Sequence, residues 1–272
     1  MSYKEELYFI AACLTISFDN KNRLKVEKLL KSNSIDWDNL VKISTGHYVF
    51  PALYCNLKRE DFLHYLPEDL VSYMKHITTL NRKRNLQIIC QAKELNNLLL
   101  VNKVTPIFLK GTGNLLAGLY NDVAERMVGD IDFLFSQEDY PKAIKLLRAN
   151  GYFDVGKYDF DFPEQRHYVR LKKDNYIAAV EIHKGLLIEK YSNEFNYNFV
   201  KKSLQIINGV SVLSYSNKLN LSIIASQIND RRYYYKTIAL RNAYDVFLLS
   251  KKTNAKDAIN SLKKLNQPLN FF

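Results

Sequence analysis

Cysteine is scarce in this 272-residue chain: Cys13, Cys55 and Cys90 stand apart, show no CxxC spacing and leave one thiol over. That excludes a disulfide framework and a cysteine zinc site. Nine glycines and six prolines are too few for a collagen-like or linker-like chain. Long apolar runs are missing too. Leu98–Val101 and Ile107–Leu109 are short and have Lys103 between them, whereas a membrane helix needs roughly 18 to 20 apolar residues. Glu5 and Glu6 precede the first short apolar stretch, against the pattern of a signal peptide. The expectation is a soluble, cytoplasmic protein without a membrane partner.

What remains is ordinary globular composition, 47% apolar and 25% charged. The length suits one large or two ordinary domains with a real core. The charge is lopsided: the formal total is +11, yet residues 1–100 carry +3, residues 101–200 carry −1 and residues 201–272 carry +9. A basic segment beside a neutral middle suggests an anionic partner, a nucleoside triphosphate or a nucleic acid. A solvated, lysine-rich surface explains it equally well. Tyr233, Tyr234 and Tyr235 are bracketed by Arg231, Arg232 and Lys236, joining rings that stack on bases to cations that hold phosphates. At helical spacing, however, such tyrosines are more often core or rim residues.

The first hundred residues read as helices, with apolar residues three and four apart over Asn22–Ser32 and Trp37–Ile43. Pro67, followed by Glu68 and Asp69, suits a helix start, and that helix runs to about Val101. The middle third alternates. Thr105–Leu109 reads as a buried strand, Lys110-Gly111-Thr112-Gly113 as a turn, and Asn114–Tyr120 as a helix. Asp130–Phe135 reads as a strand, with Ser136 capping the next helix and Gly151 closing it. Tyr168–Lys172, Ile177–His183 and Val210–Leu213 follow as strands. Asn217–Ile228, Lys236–Ser250 and Ala255–Leu265 read as helices. The expected class is α+β: a small mixed β-sheet core (residues 103–213) between an N-terminal helical region (1–102) and a basic C-terminal helical region (214–272).

Within the core, strand alternation puts Asp130 and Asp132 on one face and Ile131, Phe133 and Phe135 on the other. Paired carboxylates on a hydrophobic back make an oxygen-ligand site for Mg²⁺, although a lone Asp-x-Asp is often just an exposed acidic edge. In Val180-Glu181-Ile182-His183, Glu181 and His183 also face together, so Glu181 offers a third carboxylate. The Lys110–Gly113 turn opens a helix and allows close backbone approach to phosphate. Turn, aspartate pair and third acid together form a layout for two-metal phosphoryl transfer.

The run LKGTGNLLAGLYNDVAERMVGDIDFLF resembles the nucleotidyltransferases of the polymerase-β-like superfamily. It is most similar to a broad bacterial nucleotidyltransferase-like family with a Lys-Gly turn, an arginine before the Asp-x-Asp and a later Glu-x-His. Lys110-Gly111, Arg126, Asp130/Asp132, LLRANGY at Leu146–Tyr152, and Glu181/His183 occur in that order. The sequence departs from the superfamily pattern in three ways: 19 positions separate Gly111 from Asp130, Thr112 replaces Ser or Gly, and the third acid is Glu181 rather than Asp. The resemblance implies that Asp130, Asp132 and Glu181 are catalytic and hold two Mg²⁺ ions. It places Lys110, Gly111, Thr112, Gly113, Arg126 and His183 around a nucleoside triphosphate. The implied reaction moves a nucleoside monophosphate to a hydroxyl and releases pyrophosphate. The acceptor is open among a small molecule, a sugar, a protein side chain and an RNA end, with tRNA suggested by the +9 segment. The alternatives are a degenerate nucleotide- or nucleic-acid-binding regulator and an RNA-modifying enzyme of the toxin type.

Overall fold

The computed structural model describes residues 1–32, 34–155, 166–188 and 191–263, and within them the chain divides into two compact units. The first comprises Met1–Leu86, Tyr120–Met127 and Ala239–Tyr244. It holds α1 (Tyr3–Cys13), α2 (Asn20–Lys31), α3 (Trp37–Gly46), α4 (Phe50–Arg59) and the N-terminal part of α5 (Glu68–Val101). Local chemistry sets the helix starts. Ser2 and Glu5 form a capping box on α1, while Asp19 and Asp36 cap α2 and α3 through their side chains. Ile10, Cys13, Val26, Leu53 and Met74 are fully buried in this unit. Buried Glu125 is tied to Arg59 and accepts a 2.7 Å hydrogen bond from the Tyr244 hydroxyl. Asn81 and Asn85 donate to the carbonyls of Ala124 (2.7 Å) and Arg126 (2.6 Å) respectively. These bonds satisfy backbone groups that have no partner in a regular element.

The second unit, Gln87–Leu119, Val128–Ile238 and Asp245–Phe272, carries a seven-stranded mixed sheet. Its strands are β1 (Ile107–Phe108), β2 (Asp130–Leu134), β3 (Phe153–Asp154), β4 (Leu171–Lys172), β5 (Ala179–His183), β6 (Leu204–Ile207) and β7 (Val210–Leu213). Their order is β3-β4-β5-β2-β1-β7-β6. The central pair, β2 and β5, is parallel, and β1 runs antiparallel to β2. One face packs Ile107, Leu134 and Leu213 with Leu221, Ile224 and Ile228 of α9 (Tyr215–Ile228) and Leu262 of α12 (Ala255–Lys263). Phe108, Phe133 and Phe135 stack in series with ring centroids 4.8 and 5.9 Å apart. Ile88, Ala92, Leu95 and Leu99 form a buried stripe along the end of α5. Gln91 exchanges two hydrogen bonds, of 2.9 and 3.0 Å, with the backbone of Ala178 beside β5.

The α+β class is as expected, but several elements differ. The helix placed at Asn114–Tyr120 is α6 (Lys110–Leu116), so the expected turn is the helix's first turn. Lys110 makes this possible with a left-handed φ of 47°, a conformation only a few per cent of non-glycine residues adopt. The strand Val210–Leu213 is half of a hairpin with β6, joined by Asn208-Gly209 at φ values of 51° and 78°. That is the two-residue turn chemistry that matches strand twist. The helix expected over Lys236–Ser250 starts later, as α11 (Leu240–Ser250), after a short α10 (Arg232–Tyr235). The end of the helix expected to Leu265 lies outside the described residues.

Gly113 packs α6 against the sheet. A Cβ there would meet the Phe108 carbonyl oxygen at 2.7 Å and its carbon at 2.9 Å, and backbone cannot swing away as a side-chain tip can. Gly113→Ala is therefore expected to lower unfolding free energy by about 1–3 kcal/mol. Gly46→Ala in α3, with nothing within 4 Å of the new methyl, is the control and should leave stability unchanged or slightly raised. Denaturant unfolding of both variants checks this, and equal stability would refute the close-packing account.

Candidate active site

The parallel register sets Asp132 opposite Glu181 and Asp130 opposite Ala179 on the two central strands. Glu181 and His183 project from the same face of β5, two residues apart. One oxygen each from Asp132 and Glu181 and one nitrogen of His183 lie within 4.8 Å of one another. These side chains are almost completely buried, at 1%, 6% and 1% exposure. Clustered buried carboxylates demand cations. Lys110 supplies one: its ammonium pairs with Asp132 and reaches Glu181 at 3.5 Å. Arg170 supplies another, bridging Glu181 at 2.7 Å and Asp130 at 3.1 Å. Thr112 ties α6 to β2 by donating its hydroxyl to the Asp130 carbonyl at 2.8 Å.

His183 Nε2 lies 2.8 Å from Asp132 Oδ1. An ionised carboxylate only accepts, so Nε2 carries the hydrogen in this arrangement. The other ring nitrogen, Nδ1, is buried without a hydrogen-bond partner. His167 pairs with His183 across an antiparallel bridge, with ring centroids 5.1 Å apart.

The site separates its acids electrostatically. Burial, reinforced by the charges of Asp132 and Glu181, pushes Asp130 up to about 6. Burial also opposes ionisation of Asp132, but Lys110 and the His183 hydrogen bond outweigh it and hold Asp132 below the usual carboxylate range. Glu181 is likewise held far below its ordinary value, burial being overcome by His183, Lys110 and Arg170. Lys110 is lowered by burial yet raised more by the two carboxylates, so its net shift is upward. Two ionised carboxylates and an imidazole within 4.8 Å of one another fit a divalent cation, oxygen-rich enough for Mg²⁺, with His183 Nε2 as a nitrogen ligand in the tautomer that carries its hydrogen on Nδ1.

Of the residues expected from sequence, the structure brings Lys110, Asp130, Asp132, Glu181 and His183 together. Gly111, Thr112 and Gly113 are buried in the first turn of α6, with Thr112 holding Asp130 and Gly113 packed on Phe108. Arg126 belongs to the first unit, where its guanidinium donates to the Met127 carbonyl at 2.7 Å. Arg170 was missed. Its signal was a cation on a predicted strand, but only the pairing of β4 with β5 places it beside Glu181.

Lys218 was missed as well. It is 4% exposed on α9 and donates to the Gly113 carbonyl at 3.3 Å, with its ammonium 5.3 Å from the Tyr215 ring centroid. Burial pushes it down to about 7.

The chain belongs to a family of uncharacterised nucleotidyltransferases, whose model matches residues 33–272. No curated relative matches it. Family and buried Asp/Glu/His cluster both fit a role in nucleotidyl transfer. No helix among the described residues is long and apolar enough to cross a membrane.

Two outcomes test this electrostatic design. Lys110→Ala and Lys110→Gly both delete the ammonium, but only glycine relieves the left-handed backbone. The glycine variant should therefore be more stable than the alanine variant by about 1 kcal/mol, as read by denaturant unfolding. For Lys218 the folded value lies below the free one, so unfolding takes up a proton between them. Its destabilising effect is full below pH about 7 and vanishes above pH about 10. Lys218→Met should be more stable than wild type at pH 6, on the order of a few kcal/mol, with the difference shrinking towards pH 10. A difference that stays constant with pH would contradict the buried-ammonium assignment.

Proposed function

We propose that this protein is a Mg²⁺-dependent nucleotidyltransferase that moves a nucleoside monophosphate from a nucleoside triphosphate to an acceptor hydroxyl. The observation that carries this reading is the convergence of Asp132, Glu181 and His183 within 4.8 Å, on the strand pair that also carries Asp130. In the reaction the acceptor oxygen bonds to the α-phosphorus, the bond from that phosphorus to its bridging oxygen breaks, and pyrophosphate leaves. The hydroxyl proton passes to solvent. Asp132, Glu181 and His183, with Asp130 beside them, would hold the divalent ions. Ions bound there supply charge neutralisation of the triphosphate and a lower pKa for the acceptor hydroxyl.

The protein's own groups position the reactants. Lys110 keeps Asp132 and Glu181 ionised. Arg170 fixes Glu181 and Asp130 relative to each other. The first N–H groups of α6, at Lys110, Gly111 and Thr112, lack intrahelical acceptors and would face the triphosphate. Thr112 sets the distance between that turn and β2. RNA, including tRNA, is the acceptor favoured by the basic C-terminal residues, and the cytoplasm is the proposed setting.

One contact favours a second reading. The Lys110 ammonium already lies on Asp132 and Glu181, as a binding protein without transferase activity would keep it. Pyrophosphate release and thermal shift with each of the four nucleoside triphosphates, with and without Mg²⁺ and bulk tRNA, separate the two. Transfer is expected to need Mg²⁺ and to fall by on the order of a hundredfold or more in Asp132→Asn. Stabilisation by nucleotide with no pyrophosphate would support the regulator. No stabilisation by any nucleotide would remove both readings.

A further inference from the structure

Tyr233, Tyr234 and Tyr235 are neither core nor rim residues: they are 56%, 78% and 60% exposed. They sit on α10, a single helical turn whose flanking residues, Arg231 and Lys236, both have left-handed φ values, 53° and 50°. Those two non-glycine positions open and close the turn directly after α9. Tyr234 and Tyr235 stand edge to face with ring centroids 5.1 Å apart, so they present π surfaces in different directions. Ile238, also exposed, continues the patch. Beside the rings lies a shallow cavity of about 460 Å³ lined by Gln227, Arg232, Tyr233, Tyr234, Lys236 and Thr237.

The charge beside these rings in sequence is mainly positive. Arg231, Arg232 and Lys236 flank them, and Asp230 lies 3.8 Å from Arg232. Arg232 Nε is buried without a hydrogen-bond partner. Three exposed aromatic faces bracketed by three cations match a polyanion that also carries planar rings. A single helical turn has no aliphatic stripe to insert into lipid. A protein partner would have to bury these cations, and the dry centre of a protein hot spot tolerates that only with acids placed to match. Single-stranded nucleic acid meets both demands at once, through base stacking and phosphate contact.

We propose that Tyr233, Tyr234 and Tyr235, with Arg231, Arg232 and Lys236, form a binding platform for single-stranded nucleic acid. Lys218 lies on α9 beside the α6 turn, and the last residue of α9 before this platform, Ile228, is about 15 Å further along the helix axis. A strand held on the platform therefore lies within reach of the turn that bears Lys110. The platform stands on exposure and charge alone, and its binding is measured without nucleoside triphosphate or metal, so it survives or fails independently of the transferase reading.

The test is fluorescence anisotropy with labelled single-stranded RNA and DNA of about a dozen nucleotides, the matching duplexes, and EDTA throughout. Binding is expected to favour single strands and to weaken as salt rises. The combined Tyr233→Ala, Tyr234→Ala and Tyr235→Ala variant should lose on the order of tenfold or more in affinity while keeping the wild-type thermal midpoint. The corresponding triple Tyr→Phe variant, which keeps the π faces, should retain binding. Arg231→Gln with Arg232→Gln and Lys236→Gln should flatten the slope of log affinity against log salt by about 2. The proposal is overturned if duplex binds as well as single strand, or if polyglutamate binds as tightly as RNA. It is also overturned if binding moves to anionic vesicles with none to oligonucleotide, or if the alanine variant binds like wild type.

Discussion

The Lys110 ammonium lying between Asp132 and Glu181 is the contact on which the site depends. Two carboxylates this deeply buried on neighbouring strands repel each other and lose their hydration, and neither could stay ionised without a cation at hand. Lys110 delivers that cation from a left-handed backbone position at the start of α6. The strained residue, the first turn of the helix and the packing of Gly113 against Phe108 are parts of one device. Arg170 balances the other side, and the balance leaves Asp130 as the carboxyl with the raised proton affinity. An arrangement that stores ionised oxygens beside one exchangeable ammonium suits a site that trades one cation for another.

Strand pairing supplies the precision. A parallel register puts Asp132 directly across from Glu181 and leaves His183 two residues further along the same face. A slip of one residue in β2 would turn Asp130 and Asp132 to the apolar side, where Ile131 and Phe133 lie buried. The carboxylates are therefore held by the same interactions that pack the phenylalanine series behind them. Stability and site geometry cannot be varied independently in β2.

Much of this was legible in the residues. The alternation in Asp130–Phe135 and in Val180–His183 gave the facing of every acid in the cluster, because side-chain period in a strand is a local property. The family followed from the order of Lys110-Gly111, Asp130/Asp132 and Glu181/His183, and its model covers residues 33–272. What escaped depends on contacts between distant segments. Arg170 acts through the pairing of β4 with β5. Lys218 acts through burial of α9 beside Gly113. No local signal marks a lysine for left-handed backbone, so α6 was placed four residues late. Gly113 was read as space for phosphate, whereas its missing side chain makes room for the Phe108 carbonyl. The Asn208-Gly209 turn did carry a hairpin signal, left unused beside the more obvious Val210–Leu213 strand.

The central claim is that Asp132, Glu181 and His183 converge in order to hold a divalent ion, and electron paramagnetic resonance of Mn²⁺ tests it most directly. The free-ion signal should fall on titration with wild-type protein and nucleoside triphosphate, and Lys110→Met should bind Mn²⁺ no more weakly than wild type. Asp132→Asn and Glu181→Gln should leave the signal close to that of free Mn²⁺ plus nucleotide. Unchanged Mn²⁺ binding in both carboxylate variants would contradict the account and leave the cluster as a structural ion-pair network.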